Sequence, residues 1–157
     1  MTITQPQKNQ PSPYMPRTET YTIEGDPIAL ARARFGEHRV YDSQKQLKLI
    51  AGINLANQHE GKPVFLGPVR LDVIFYLQLP KRFASHLPGS YHIYRPDLSN
   101  LIKFTEDVAT SIIYHDDCII AEIFSRKLYD KHPRTEFTIS TLKDRPYSAQ
   151  TPTKGKS

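Results

Sequence analysis

A single cysteine, no tryptophan and only seven glycines among 157 residues remove several classes of protein at the outset. Cys118 alone cannot form an intrachain disulfide or a thiolate metal cluster. It stands in the apolar run Cys118-Ile119-Ile120-Ala121, where a buried structural thiol is expected rather than a nucleophile. The glycines form neither GxGxxG nor GxxxxGK[ST], so no nucleotide cofactor is expected. The six histidines are dispersed, and His115-Asp116-Asp117-Cys118 lacks the recurrent spacing of a zinc site. No apolar run approaches the roughly 18 residues of a membrane span, and the opening seventeen residues do not resemble a signal peptide. A cytoplasmic protein without a membrane partner is expected.

The charge of +5 is placed unevenly. Residues 1–18 contribute Lys8 and Arg17 with no acid, and residues 142–157 contribute Lys143, Arg145, Lys154 and Lys156 against Asp144. Both stretches are rich in Gln, Pro, Ser and Thr and are read as flexible tails, the second one basic. The body, residues 19–141, balances 15 bases with 15 acids. Within it residues 26–95 hold ten bases and five acids, whereas residues 96–141 hold five and eight. This division suits a polyanion at one part and divalent cations at another, or the ordinary mixture of a solvated surface.

Residues 20–23 read as a short strand closed by Gly25-Asp26-Pro27, followed by an irregular basic segment through Arg39. Leu47, Ile50, Ala51 and Leu55 recur at helical spacing, placing a helix from Asp42 or Ser43 to just before Gly61. Residues 69–79 alternate strictly, with Val69, Leu71, Val73, Phe75, Leu77 and Leu79 on one face of a strand. A long connection bounded by Pro80 and Pro96 precedes a second helix, from about Leu98 to Ser111. Residues 118–130 and 134–142 read as two further strands. The order predicts one small α+β domain, a mixed sheet of about four strands shielded by two or more helices, with strand order open.

Polar chemistry is densest from Arg95 onward. Pro96-Asp97-Leu98-Ser99 offers a stiff entry and two capping oxygens to the second helix, while Leu101, Phe104, Val108 and Ile112 form an apolar stripe. Asn100, Lys103 and Asp107 fall three and four residues apart, as neighbours on the polar side. One reading makes Asp97 a cap, Lys103 and Asp107 an ion pair, and Asp116-Asp117 a hydrophilic turn. The other gathers the carboxylates at a common edge, where oxygen ligands suit Mg²⁺ beside a phosphate and Lys103 neutralises developing charge.

The run Asp97-Leu98-Ser99-Asn100-Leu101-Ile102-Lys103, then Asp107 and the pair Asp116-Asp117 leading into a strand, resembles the signature of the RusA family of Holliday junction resolvases, over most of residues 20–140. The resemblance implies a RusA-like fold and a homodimeric Mg²⁺-dependent endodeoxyribonuclease, with Mn²⁺ as the alternative cation. Such an enzyme resolves four-way junction DNA by paired phosphodiester hydrolysis in recombination, repair or prophage DNA processing. Carried over residue by residue, it makes Asp97, Lys103 and Asp117 catalytic, and Asp97, Asp117 and Asp116 metal ligands. It also places basic groups at Arg32 and Arg34 and, less directly, His92 on DNA. The wider candidates for holding DNA backbones are Arg39, Lys45, Lys48, Lys81, Arg82 and Arg95, each also readable as an ordinary solvated base. Tyr91 and Tyr94 could stack on exposed bases or pack as ordinary aromatics. One departure stands out: the second acid of the family's Asp-x-Asp is Ser99 in this chain. A hydroxyl brings no charge to a hard cation, so the alternative is a junction-binding protein that cleaves weakly or not at all.

Overall fold

The structure, a computed structural model, describes residues 16–31, 34–35, 40–81 and 88–143. Its frame is a four-stranded mixed sheet carrying two helices, the architecture anticipated from the order of elements. In chain order the elements are β1 Thr18–Glu24, β2 Arg34–Phe35, β3 Val40–Tyr41, α1 Lys45–His59, β4 Val69–Gln78, α2 Leu98–Ala109, a 3-10 turn Asp117–Ile119, β5 Ile120–Asp130 and β6 Arg134–Thr141. The sheet runs β1-β6-β4-β5. β6 is antiparallel to both neighbours, while β4 and β5 are parallel. A parallel pair needs a crossover, and α2 supplies it.

The alternation read in residues 69–77 places Val69, Leu71, Val73, Phe75 and Leu77 in the core, with their neighbours half-exposed on the opposite face. Phe137 and Ile139 of β6 join them, and α2 covers this layer with Leu101, Phe104 and Val108. The opposite sheet face carries Arg70 paired with Asp72 at 2.8 Å and Arg134 paired with Glu136 at 2.6 Å, the Arg134 guanidinium lying 3.8 Å from the Tyr76 ring centre. α1 is tied to β1 through the buried Tyr21 hydroxyl and His59 Nδ1, 2.7 Å apart, and through the Gln58 side chain, which bonds both backbone groups of Thr22.

Three local readings are corrected. α1 starts at Lys45, because the Asp42 carboxylate accepts from the Gln44 amide and holds residues 42–44 in a turn. Its buried residues are Ala51, Leu55 and His59, whereas Leu47 and Ile50, two of the four residues that suggested the helix, are exposed with Leu49 and Ile53. The basic segment read as irregular contains the small antiparallel pair β2-β3.

Candidate functional site

The entry to α2 is built by a lysine from the neighbouring strand. Lys127 of β5 donates from Nζ to the carbonyls of Tyr94 at 2.6 Å and Pro96 at 2.7 Å, anchoring the chain just before Asp97; the Arg95-Pro96 peptide is cis. Asp97 takes the N-cap position, its backbone carbonyl accepting from the amides of Asn100 and Leu101. Its carboxylate makes no capping bond and is exposed. An acid at this position ordinarily satisfies a free helix amide; the Asp97 carboxylate does not. Ser99 is exposed in the first turn. The Leu30 amide donates to the Asn100 carbonyl at 2.8 Å, bracing this end of α2 against the chain that follows β1.

The far end of α2 meets the 3-10 turn. Asp116 Oδ1 accepts from the Cys118 amide at 2.8 Å, and that bond holds the Asp116 carboxyl below its ordinary range. Asp116 is thereby engaged as a cap. Asp117, next along, is exposed and lies near enough to Glu106 to act on its charge. Glu106 is pushed up, first by burial and then by the Asp117 and Asp107 carboxylates, with Lys103 opposing. The Lys103–Asp107 ion pair offered by one of the two readings does not form: Asp107 pairs at 3.0 Å with Lys48 of α1, which also holds Asp42 at 3.0 Å. The apolar run at Cys118 also reads differently in three dimensions. Ile119 and Ile120 pack against the core while Cys118 turns outward and is exposed, its thiol raised chiefly by the Asp116 carboxylate. A raised, uncharged thiol is a poor nucleophile.

One chain therefore brings Lys103, Glu106, Asp107 and Asp117 to one edge and leaves Asp97 at another. Nine residues of helix separate Asp97 from Glu106, about 14 Å at the α-helical rise. The strand gives the same answer, since β5 runs about 23 Å from Ile120, beside Asp117, to Lys127, which holds Pro96. Among the described residues no three acid, histidine or cysteine side chains gather as a cation site. The donor chemistry suits a hard cation, but the described residues of one chain do not assemble enough of it. Glu106 is the acid that the geometry places beside Asp117. Its spacing of three residues from Lys103 was visible in the sequence, whereas its closeness to Asp117 depends on the crossover.

The family model for the endodeoxyribonuclease RusA matches residues 24–140, a span containing both acidic edges and the helix between them. The chain belongs to the RusA endodeoxyribonuclease family. A relative from Bacillus subtilis (strain 168), described as "Uncharacterized protein YqaN", is 27% identical over 132 residues, covering 76% of this chain and 93% of that protein. Membership supports a Holliday junction endonuclease acting on junction DNA. No helix among the described residues is long and apolar enough to cross a membrane.

The described basic candidates of this RusA-family chain stand on different elements. Lys81 and Arg95 are exposed, Arg95 two residues before Asp97. Arg34 lies in β2, and Arg32, Arg39 and Arg82 fall outside the described residues. Lys45 is exposed, but Lys48 is engaged by its two aspartates. The basic and acidic halves of the sequence thus interlock in space. His92 is half-buried against Tyr129, ring centres 4.7 Å apart, and burial followed by the Lys127 charge pulls its imidazole below the usual range. Tyr91 and Tyr94 are exposed beside Ile93 in the turn that leads to Asp97.

Proposed function

We propose that this RusA-family protein is a homodimeric, divalent-cation-dependent endonuclease that resolves four-way DNA junctions by paired phosphodiester hydrolysis. The observation that carries the reading is the uncommitted Asp97 carboxylate at the cap of α2, matched at the other end by Asp117 beside a perturbed Glu106. Mg²⁺, with Mn²⁺ as substitute, would supply charge neutralisation at the phosphate. Because one chain separates Asp97 from Asp117, the cation-binding set is completed between two copies, Asp97 of one meeting Asp117 and Glu106 of the other. Glu106 then supplies the carboxylate that Ser99 lacks, and Asp116 stabilises the turn that presents Asp117. The exposed ammonium of Lys103 offsets negative charge at the same edge. Arg95 and Lys81 hold DNA backbone, and Tyr91 and Tyr94 offer faces to unpaired bases.

The test is cleavage of a synthetic four-way junction against a linear duplex of the same sequence, with Mg²⁺ and Mn²⁺ titrated. Wild type should nick the junction preferentially and only with cation. Asp117→Asn should lose at least two orders of magnitude in rate while still shifting junction in a binding assay. Equal rates for the two proteins would remove Asp117 from the chemistry, and tight junction capture without product at any cation concentration would favour the binding-only alternative.

A further inference from the structure

Among the described residues, the outer edge of β5 is paired along only part of its length. The chain at residues 89–92 covers its second half: the His92 amide donates to the Lys127 carbonyl, the Gly89 amide to the Tyr129 carbonyl, and the Tyr129 amide to the Ser90 carbonyl. Among the described residues nothing pairs with the first half, where Ala121, Glu122, Ile123 and Phe124 are all exposed. Phe124 is 60% exposed and Ile123 43%. A bare edge carrying an exposed aromatic is a template for another strand.

We infer that this edge is the dimer interface, with β5 of one copy pairing antiparallel to β5 of a second across a two-fold axis at Phe124. The inference deepens the homodimer of the proposed function and rests on that reading for its biological meaning. Two features fix the occupant and the register. The bonds at Lys127 and Tyr129 show that odd-numbered residues of β5 direct their backbone groups to the free edge. In an antiparallel pair such residues oppose each other as hydrogen-bonded partners, and even-numbered residues oppose each other between them. Centring on Phe124 satisfies this: Ile123 faces Ser125 of the other copy and exchanges both backbone bonds with it, and Phe124 faces its own image. The second feature is charge. Glu122 and Arg126 flank Phe124 symmetrically on the same face, so the two-fold axis sets each glutamate opposite an arginine, twice. Centring on either charged residue would oppose like charges, which is destabilising. A strand that carries opposite charges two residues either side of an exposed aromatic is complementary to itself and to few other strands.

The pairing also orders the site. Antiparallel strands carry the start of one β5, with Asp117, toward the end of the other, where Lys127 holds the carbonyl preceding Asp97. In this register Asp117 of one copy comes level with a point four residues past Lys127 of the other, about 13 Å along the strand, so the separation seen within one chain is narrowed by the second.

Charge reversal tests the inference, with mass read by sedimentation velocity on the full chain. Wild type should sediment as a dimer of the 18.0 kDa chain. Glu122→Arg and Arg126→Glu should each weaken the dimer at least tenfold, and the double variant should restore it. Phe124→Cys in a Cys118→Ser background should form an interchain disulfide under mild oxidation, since directly opposed Cα atoms lie within disulfide reach, whereas Glu122→Cys, about 14 Å from its image, should not. A monomeric wild type, a double reversal that fails to re-form the dimer, or a dimer lost on Ile50→Glu in α1 while indifferent to both single reversals would overturn the inference. Junction cleavage is assayed separately on the same proteins. A restored dimer without cleavage leaves the interface standing and refutes the enzyme, and cleavage by a dimer indifferent to the reversals does the opposite.

Discussion

Replacing Lys127 by methionine keeps the apolar stem of the side chain and deletes the ammonium that joins β5 to the turn before α2. Two bonds from a charged donor are lost, at 2.6 and 2.7 Å, one to an exposed carbonyl and one to a partly buried one. Such bonds contribute roughly 1.5–3 kcal/mol when shielded and less when water can replace the donor. Water readily reaches the Tyr94 carbonyl, so most of the loss falls at Pro96, and the expected total is about 1–3 kcal/mol. For a domain of this size, each kcal/mol moves the midpoint by roughly 2–4 °C, so Tm should fall by roughly 3–10 °C. The second effect is positional. Freed of its anchor, Asp97 should sample more orientations, and junction cleavage should fall tenfold or more while junction affinity changes little. Circular dichroism melts and single-turnover cleavage read the two effects. A core truncation, Val73→Ala, chosen to match the Tm loss, should leave cleavage well below the midpoint unchanged and so separates positioning from stability. An unaltered Tm with an unaltered rate for Lys127→Met would refute the role given to the anchor.

Glu106→Gln tests the crowded edge through pH. A carboxyl raised in the folded state favours folding while protonated and loses that contribution as pH rises from 4.5 through its raised value. Relative to the glutamine variant, wild type should therefore lose stability on going from pH 4 to pH 7, as measured by urea unfolding at each pH; a parallel pair of curves would contradict the cause assigned to Glu106. Ser99→Asp adds an acid beside Asp97 and should lower the Mg²⁺ concentration for half-maximal cleavage several-fold; an unchanged cation requirement would show that Glu106 already meets the need. Tyr21→Phe leaves His59 Nδ1 without its 2.7 Å buried partner and should cost about 1–3 kcal/mol in chemical denaturation, with no effect on the cleavage rate per folded molecule.

Much of this molecule was legible before folding because its strongest patterns are local. The two-residue period of β4 announces a buried face by itself, and Leu101, Phe104 and Val108 mark the inner side of α2 without reference to anything distant. α1 was recognisable as a helix but misleading about its faces, since Leu47 and Ile50 follow helical spacing yet are exposed. Periodicity reports which residues share a side; which side is buried is decided by what lies opposite. The acids show the same limit. Asp97 and Asp117 were identifiable as a set by motif, but their separation follows from the parallel crossover, which fixes the two ends of α2 at opposite ends of β5. Lys48 was counted as a base free to meet DNA, and only the approach of α1 to α2 reveals that two aspartates already hold it.

The twelve residues of α2 act as a ruler. The segment that leads into it is brought to register by Lys127, which holds the carbonyls of Tyr94 and Pro96. The helix has no freedom of length: one residue added within it would displace Asp97 from Glu106 by a further 1.5 Å or so and swing one end about 100° around the axis relative to the other. Spacing between the two acidic stations is thus inherited from a count of residues rather than from their identity. Changes of length inside α2 should be far less tolerable than substitutions on its exposed surface.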